Sequence, residues 1–149
     1  LVNYKVSQII DFIKSKWLKV RLLSNGYILS KDEYINIANK CDEIIGEIKA
    51  ITEEDFKKLQ RPIEGYTLED YIENMVSFNK QYNGKFIFEI TIIKKYNDDE
   101  ESVQKIKGVI KRINPDEIEI VRIDDERIKK TLWVDDEKFE EIKRELMNI

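Results

Sequence analysis

An α/β fold built on a parallel sheet follows from three features of the sequence. Short runs rich in β-branched and aromatic residues, the most apolar of them Phe86 to Ile93, alternate with longer stretches of helical periodicity. Each such run is followed by helical segments, the order that gives right-handed crossovers between parallel strands. Pairs that open helices, Ser or Thr with an acidic residue three positions on, recur at Ser30/Glu33, Thr52/Asp55 and Thr67/Asp70. The pattern fits one helix, then about four strands each followed by helical segments, in a single α/β domain over 1–149. It admits an open doubly wound sheet or part of a (β/α) barrel.

The chain begins with a helical face of Val6, Ile9, Ile10, Ile13 and Trp17 behind a cap at Ser7. Leu18 to Ser24 is the first strand, broken by Asn25-Gly26. The helix opened by Ser30 and Glu33 carries Tyr34, Ile37, Ala38 and Cys41 on its apolar stripe, so Cys41 reads as a buried structural thiol. Asp42 to Lys49 is the second strand, with Ile44, Gly46 and Ile48 on one face and Ile45, Glu47 and Lys49 on the other. A short helix with Phe56 and Leu59, a loop from Arg61-Pro62 to Gly65, and a longer helix through Leu68, Tyr71, Ile72, Met75 and Phe78 or Asn79 follow. Asn83-Gly84 closes that helix.

Phe86 to Ile93 reads as a strand buried on both faces, as in a parallel sheet. Phe86, Phe88, Ile90 and Ile92 share one face; Ile87, Glu89, Thr91 and Ile93 share the other. A carboxylate in the middle of a buried face costs several kcal/mol unless paired, hydrogen-bonded or facing a polar cavity. Glu89 is therefore a candidate for a ligand site. Asn97-Asp98 ends the excursion and caps a helix marked by Val103, Ile106, Ile110 and Ile113, which stops at Asn114-Pro115. Glu117 to Ile123 is the fourth strand, Asp124 to Thr131 reads as a charged loop, and Asp135 caps a last helix with Phe139, Ile142 and Leu146.

Charged residues make up 38% of the 149 but nearly balance, with a net charge of −4, so no basic field points to nucleic acid or an acidic membrane. The sequence has no apolar run of the roughly 20 residues that span a membrane and no signal-peptide pattern, which makes the cytoplasm the default compartment. Abundant Lys, Glu and Ile with scarce Gly and Pro resemble a thermophile's composition. One Cys and no His exclude an intrachain disulfide, a Cys/His zinc site and a Ser-His or Cys-His pair within these residues. The first residue is Leu, so the sequence does not open on an initiator Met.

In both parallel architectures ligands gather at the carboxyl ends of the strands. The candidates there are Ser24, Asn25, Glu47, Lys49, Glu89, Thr91 and Arg122. Glu47 and Lys49 also fit a salt bridge at the rim, and Arg122 fits an ordinary surface charge.

The segments LLSNGYIL, DEIIGEIKAITEEDFKKLQRP, GKFIFEITIIKKYNDDEESV and INPDEIEIVRI, taken in order over roughly residues 8 to 146, resemble the later part of a radical S-adenosylmethionine (SAM) enzyme. The likeness is to the branch of glycyl-radical-enzyme activases and related archaeal iron-sulfur oxidoreductases. In that family a strand ends in T-N-G, the next carries D-L-K, a later one enters an N-D or S-D turn, and a further strand follows a proline-containing helix end. The resemblance implies a partial β/α barrel that lacks the first two strands, with SAM lying across the strand ends. It places Ser24 and Asn25 at T-N-G, Lys49 at the lysine that helps hold SAM, and Glu47 where the family often has aspartate. Glu89 falls at a position near the SAM carboxylate often occupied by arginine or another polar group, Thr91 lies beside it on the same face, and the backbone around Ile120 and Val121 matches the strand that runs past the adenine.

The family's [4Fe-4S] cluster needs three cysteines in a C-x3-C-x2-C segment, and the sequence offers Cys41 only. The glycine-rich turn that holds SAM's amino group in relatives is missing too. Two readings follow: a segment of a radical SAM enzyme whose activity belongs to a longer chain, or a shortened relative that survives as a binding or assembly module. In either, the first strand is an open edge, and missing amino-terminal barrel strands or a second copy of the chain, a homodimer, should cover it. A flavodoxin-like domain also fits the alternation but lacks a glycine-rich phosphate loop.

Overall fold

The computed structural model describes residues 5–123 and 125–149. Four parallel strands, β1 (Arg21–Ser24), β2 (Glu43–Ile48), β3 (Lys85–Ile92) and β4 (Glu117–Arg122), form one sheet in the order β1-β2-β3-β4. Strands that are consecutive in sequence are neighbours in space, so crossovers of one hand put the helices on the same face. The helices are α1 (Val6–Lys14), α2 (Asp32–Ala38), α3 (Glu53–Asp55) running into a wide π turn at Phe56–Gln60, α4 (Leu68–Asn79), α5 (Glu100–Ile113), α6 (Glu126–Leu132) and α7 (Asp136–Met147). This is the predicted α/β class with four parallel strands.

The pleat divides each strand between two environments. Ile44, Ile48, Phe86, Phe88, Ile90, Ile92 and Ile120 point into the core, where Ile10, Ile35, Ile72, Met75, Phe78, Ile106, Ile110 and Ile142 meet them from the helices. Each such side chain contributes about 1.5–3 kcal/mol when taken from water. The odd-numbered residues form the other face, and that face is concave. Arg21 on β1 bonds Glu119 on β4 at 3.3 Å across the two strands between them. Ile87 lies fully buried on this face and Ile45 nearly so, which explains why β3 reads as buried on both sides without a second helix layer.

Several helix boundaries differ from the expectation. Ser7 does not cap α1; the helix starts behind Lys5, and the Ser7 hydroxyl accepts from Lys40 Nζ at 2.8 Å. Trp17 leaves the helix with φ 61° and stands 94% exposed, because the chain must turn there to enter β1. Ser30 does not cap α2, which begins behind Lys31 without a side-chain cap; Ser30 is drawn to Asn74 on α4 instead. Helix α4 ends at Asn79, ahead of Asn83-Gly84. Asp99, not Asn97 or Asp98, caps α5 by accepting from Ser102 N–H at 2.9 Å. The segment read as a charged loop from Asp124 to Thr131 contains α6, capped by Asp125; Asp124 itself lies outside the described residues. The helix is good in propensity, but Ile128 and Leu132 are too few to show a period. The Thr67/Asp70 capping box and the Asp135 cap form as expected, and Asn114 in the left-handed region ends α5 before Pro115. Among the described residues no helix is long and apolar enough to cross a membrane.

Candidate functional site at the strand ends

The carboxyl ends of β2 and β3 are tied together by one buried side chain. Asn97, 1% exposed in the turn after β3, accepts from Ile93 N–H at 2.6 Å and donates to the Thr91 carbonyl at 2.9 Å and the Lys49 carbonyl at 3.2 Å. Asp98 accepts from Lys95 N–H at 2.7 Å, which steadies the turn from outside. In the sequence Asn97 looks like part of a helix cap. Its signal was the Asn-Asp pair itself, but the partner on β2 is visible only once the strands are side by side.

A second set of contacts fixes the loop after β1 and the end of β2. Asn74 on α4 donates to the Gly26 carbonyl and accepts from Ser30 through its backbone N–H and its hydroxyl. Buried Tyr71 donates to the Glu47 carbonyl, Tyr27 to the Gln60 carbonyl at 2.9 Å, and Tyr66 to the Tyr27 carbonyl. Gln60 in turn accepts from Lys49 N–H at 3.1 Å. Tyr27, Phe56, Tyr66 and Tyr71 pack ring against ring, with centroids 5.3–6.1 Å apart. Gly26 and Gly46 leave the space that Met75 fills beneath this loop.

The structure brings most of the expected residues to one rim. Glu47 pairs with Lys49 at 2.8 Å and accepts from the Thr91 hydroxyl at 3.0 Å. Glu47, Glu89 and Glu119 are in register across β2, β3 and β4, and Thr91 is in register with Val121. Burial, then the carboxylates of Glu47 and Glu119, push the Glu89 carboxyl above the usual range, with Lys49 opposing them. Asn25 is exposed beyond β1. Ser24 ends β1 with its hydroxyl turned into its own loop, where it accepts from Gly26 N–H at 3.1 Å. Ile120 is a core residue, so only its backbone is available to a ligand, whereas Val121 belongs to the concave side.

Arg122 is a structural residue and not an ordinary surface charge. Its guanidinium lies 4.0 Å from the Trp133 ring centroid and 4.4 Å from that of Phe139, and it donates to the Val134 carbonyl at 3.1 Å and to Asp136 at 2.6 Å. It thereby docks the α6–α7 connection onto β4.

Iron-sulfur ligation would have to rest on the one thiol present. Cys41 lies just before β2, at the amino end of the strands, buried to 4% exposure. Burial pushes its thiol up, away from the thiolate that a cluster requires. The described residues therefore do not fit a [4Fe-4S] cluster, and they contain no group of three or more His, Cys, Asp or Glu placed to hold a metal ion. The rim carries the Lys49 ammonium beside the carboxyl groups of Glu47 and Glu89.

The parallel four-stranded sheet with its surrounding helices has a counterpart among solved structures. The structure is similar to the crystal structure of a domain of pyruvate-formate lyase-activating enzyme from Bacteroides vulgatus, with a TM-score of 0.72 and 10% sequence identity, over 99% of this chain and 91% of that one. The likeness shows the fold. No family model matches the sequence. Among curated relatives, the chain is 24% identical over 145 residues to a GTPase Obg of Brachyspira hyodysenteriae, of which it spans 20%. It is 20% identical over 114 residues to a UPF0026 protein of Methanocaldococcus jannaschii and 25% identical over 109 residues to one of Helicobacter pylori, spanning 36% and 35% of their lengths. The chain thus covers well under two thirds of each of these relatives.

Proposed function

We propose that the concave rim binds S-adenosylmethionine, as the SAM-holding part of a radical SAM-type barrel. The observation that carries the reading is the shared rim of Lys49, Glu47, Glu89 and Thr91, which Asn97 holds together at the carboxyl ends of β2 and β3. The order of the T-N-G-like, D-L-K-like and N-D segments and the fold of the Bacteroides domain support it. Lys49 attracts the ligand carboxylate. Glu47 and Glu89 would face its sulfonium and ammonium, and a cation there would offset the burial and the neighbouring carboxylates that push the Glu89 carboxyl up. The backbone of Ile120 and Val121 would border the adenine, and Asn25 would lie at the T-N-G-like position.

In a radical SAM enzyme the cluster supplies the electron that cleaves SAM. Its three thiolates are not among these residues, so such chemistry belongs to a longer polypeptide, and the chain as it stands does not perform it. A second reading, a binding or assembly module without redox chemistry, is favoured by the burial of Cys41 away from the rim.

Isothermal titration calorimetry tests the proposal. SAM should bind the chain weakly, because the cluster and the amino-group turn supply much of the affinity in relatives. Lys49→Ala should abolish the binding with the melting temperature unchanged. No heat at millimolar SAM, or binding indifferent to Lys49→Ala, would overturn the reading.

A further inference from the structure

Two long cationic side chains stand where the backbone favours glycine. Arg61, which ends the π turn after β2, has φ 47° and ψ 60°, and Lys95, in the turn after β3, has φ 72°. The left-handed region is unfavourable for an L-residue with a Cβ, and Arg61 also precedes Pro62, where an extended backbone is preferred. Trp17 and Asn114, the other two described non-glycine residues of this kind, lie in the connections that enter β1 and β4, at the opposite end of the sheet. Unfavourable backbone that persists at a ligand-facing end of a fold points to a use for the side chains it carries.

The two turns meet. Lys49 N–H donates to Gln60 Oε1 at 3.1 Å and Asn97 Nδ2 donates to the Lys49 carbonyl at 3.2 Å, so both turns grip one residue at the end of β2. Lys58 Nζ lies 4.9 Å from the centroid of the Tyr96 ring. Arg61 follows Gln60 and Lys95 precedes Tyr96, each one Cα step of about 3.8 Å away. Lys58, Arg61 and Lys95 are all exposed. The carboxylates around them are engaged: Glu47 pairs with Lys49, Asp55 accepts from the Thr52 hydroxyl, and Asp98 accepts from Lys95 N–H and pairs with Lys138. Lys58 has Asp55 and Glu54 within electrostatic range. The Arg61 guanidinium and the Lys95 ammonium have no ion-pair partner among the described residues, so the uncompensated charge rests on them.

We propose that Arg61 and Lys95, with Lys58 beside them, bind the phosphate of a small phosphorylated ligand at the edge of the strand-end rim. A guanidinium presents paired N–H groups that match two phosphate oxygens, and an ammonium adds a point charge to a third. A single carboxylate would engage one of these cations and leave the other uncompensated. The strained turns then have a reason, because they aim two cations from separate loops at one anion. The site makes no use of Lys49 and takes a group that SAM lacks, so it goes beyond the SAM reading and stands apart from it.

Calorimetric titration of inorganic pyrophosphate into the chain at low ionic strength tests this. Saturable binding at one site is expected, weakened about fivefold or more by Arg61→Gly and by Lys95→Gly. Glycine relieves the left-handed backbone, so both variants should melt at or above the wild-type temperature, and lost binding then reports the lost cation. Lys143→Ala, which removes an exposed cation on α7, should leave the affinity unchanged. No saturable heat at millimolar pyrophosphate, an affinity indifferent to both glycine variants, or an equal loss in Lys143→Ala would each overturn the proposal. Glycine variants that melt below wild type would assign these side chains to the fold and overturn it too. So would a single-stranded oligonucleotide that binds more tightly than pyrophosphate with an affinity growing with its length. The SAM reading fails separately, in the titration with SAM.

Discussion

Replacing Asn97 by Ala should be among the costliest single changes at the rim. The side chain makes three hydrogen bonds in a site 1% exposed, and Ala supplies none of them. The Ile93 N–H is left without its acceptor beside a residue that is itself 1% exposed, at about 1–3 kcal/mol for a buried orphan. The Thr91 and Lys49 carbonyls each lose one donor, at about 0.5–1.5 kcal/mol apiece. The sum is about 2–6 kcal/mol, or a fall of at least roughly 4–8 °C in melting temperature for a domain of this size. Asn97→Asp keeps the acceptor for Ile93 but sets a carboxylate against two carbonyls, so it should lose nearly as much at neutral pH. Urea titration followed by circular dichroism gives the free energies, and amide exchange should show residues 91–97 opening ahead of the core. A loss below about 1 kcal/mol for Asn97→Ala, with those amides still protected, would refute the clamp.

Other side chains give sharper separations between stability and binding. For Glu89, burial and aligned carboxylates raise the folded-state pKa, so its stabilising contribution is full below the ordinary glutamate range and is lost as pH rises through the raised value. Glu89→Gln should therefore melt above wild type at pH 7, and the difference should shrink toward pH 4, as differential scanning calorimetry across pH would show. Arg122→Ala strips two ring contacts and a half-buried hydrogen bond and should cost about 2–3 kcal/mol in urea titration while leaving SAM affinity unchanged. Gly46→Ala would set a Cβ 2.6 Å from Met75 Cε in a closed core and should cost about 1–3 kcal/mol on the same assay. Cys41 should resist alkylation in the native chain and react at once in denaturant, as mass spectrometry would show; rapid native labelling would contradict its burial.

The parts of the fold legible in the sequence are those that local chemistry decides. Phe86 to Ile93 announces a buried strand because every even position is large and apolar, and Thr67 with Asp70 announces a helix start because both halves of the box are local. Side chains whose partners are remote were read differently. Ser30 looks like a cap, yet Asn74, 44 positions away, offers it an acceptor. Arg122 looks like a surface charge until Trp133 and Phe139 pack around it. The candidate site divides the same way. Strand parity puts Glu47 with Lys49 on one face of β2 and Glu89 with Thr91 on one face of β3, whereas their meeting at one rim, the clamp at Asn97 and the curvature bridged by Arg21 and Glu119 depend on register between strands.

Distance along β2 separates what this fold can hold from what it cannot supply. Cys41 and Lys49 bracket the strand, and an extended chain rises about 3.3 Å per residue, so the thiol and the rim are on the order of 25 Å apart. A ligand seated at Lys49 and Thr91 is thus far beyond bonding reach of Cys41, whatever the protonation of that thiol. The charged rim and the thiol are properties of opposite ends of the sheet, one shaped by Asn97, Asn74 and Tyr71 and the other closed over by Tyr82, which donates to the Cys41 carbonyl at 3.0 Å. Redox chemistry at the rim would need thiolates brought to the carboxyl ends of the strands by other polypeptide, and loading SAM onto this chain should proceed equally well after Cys41→Ser.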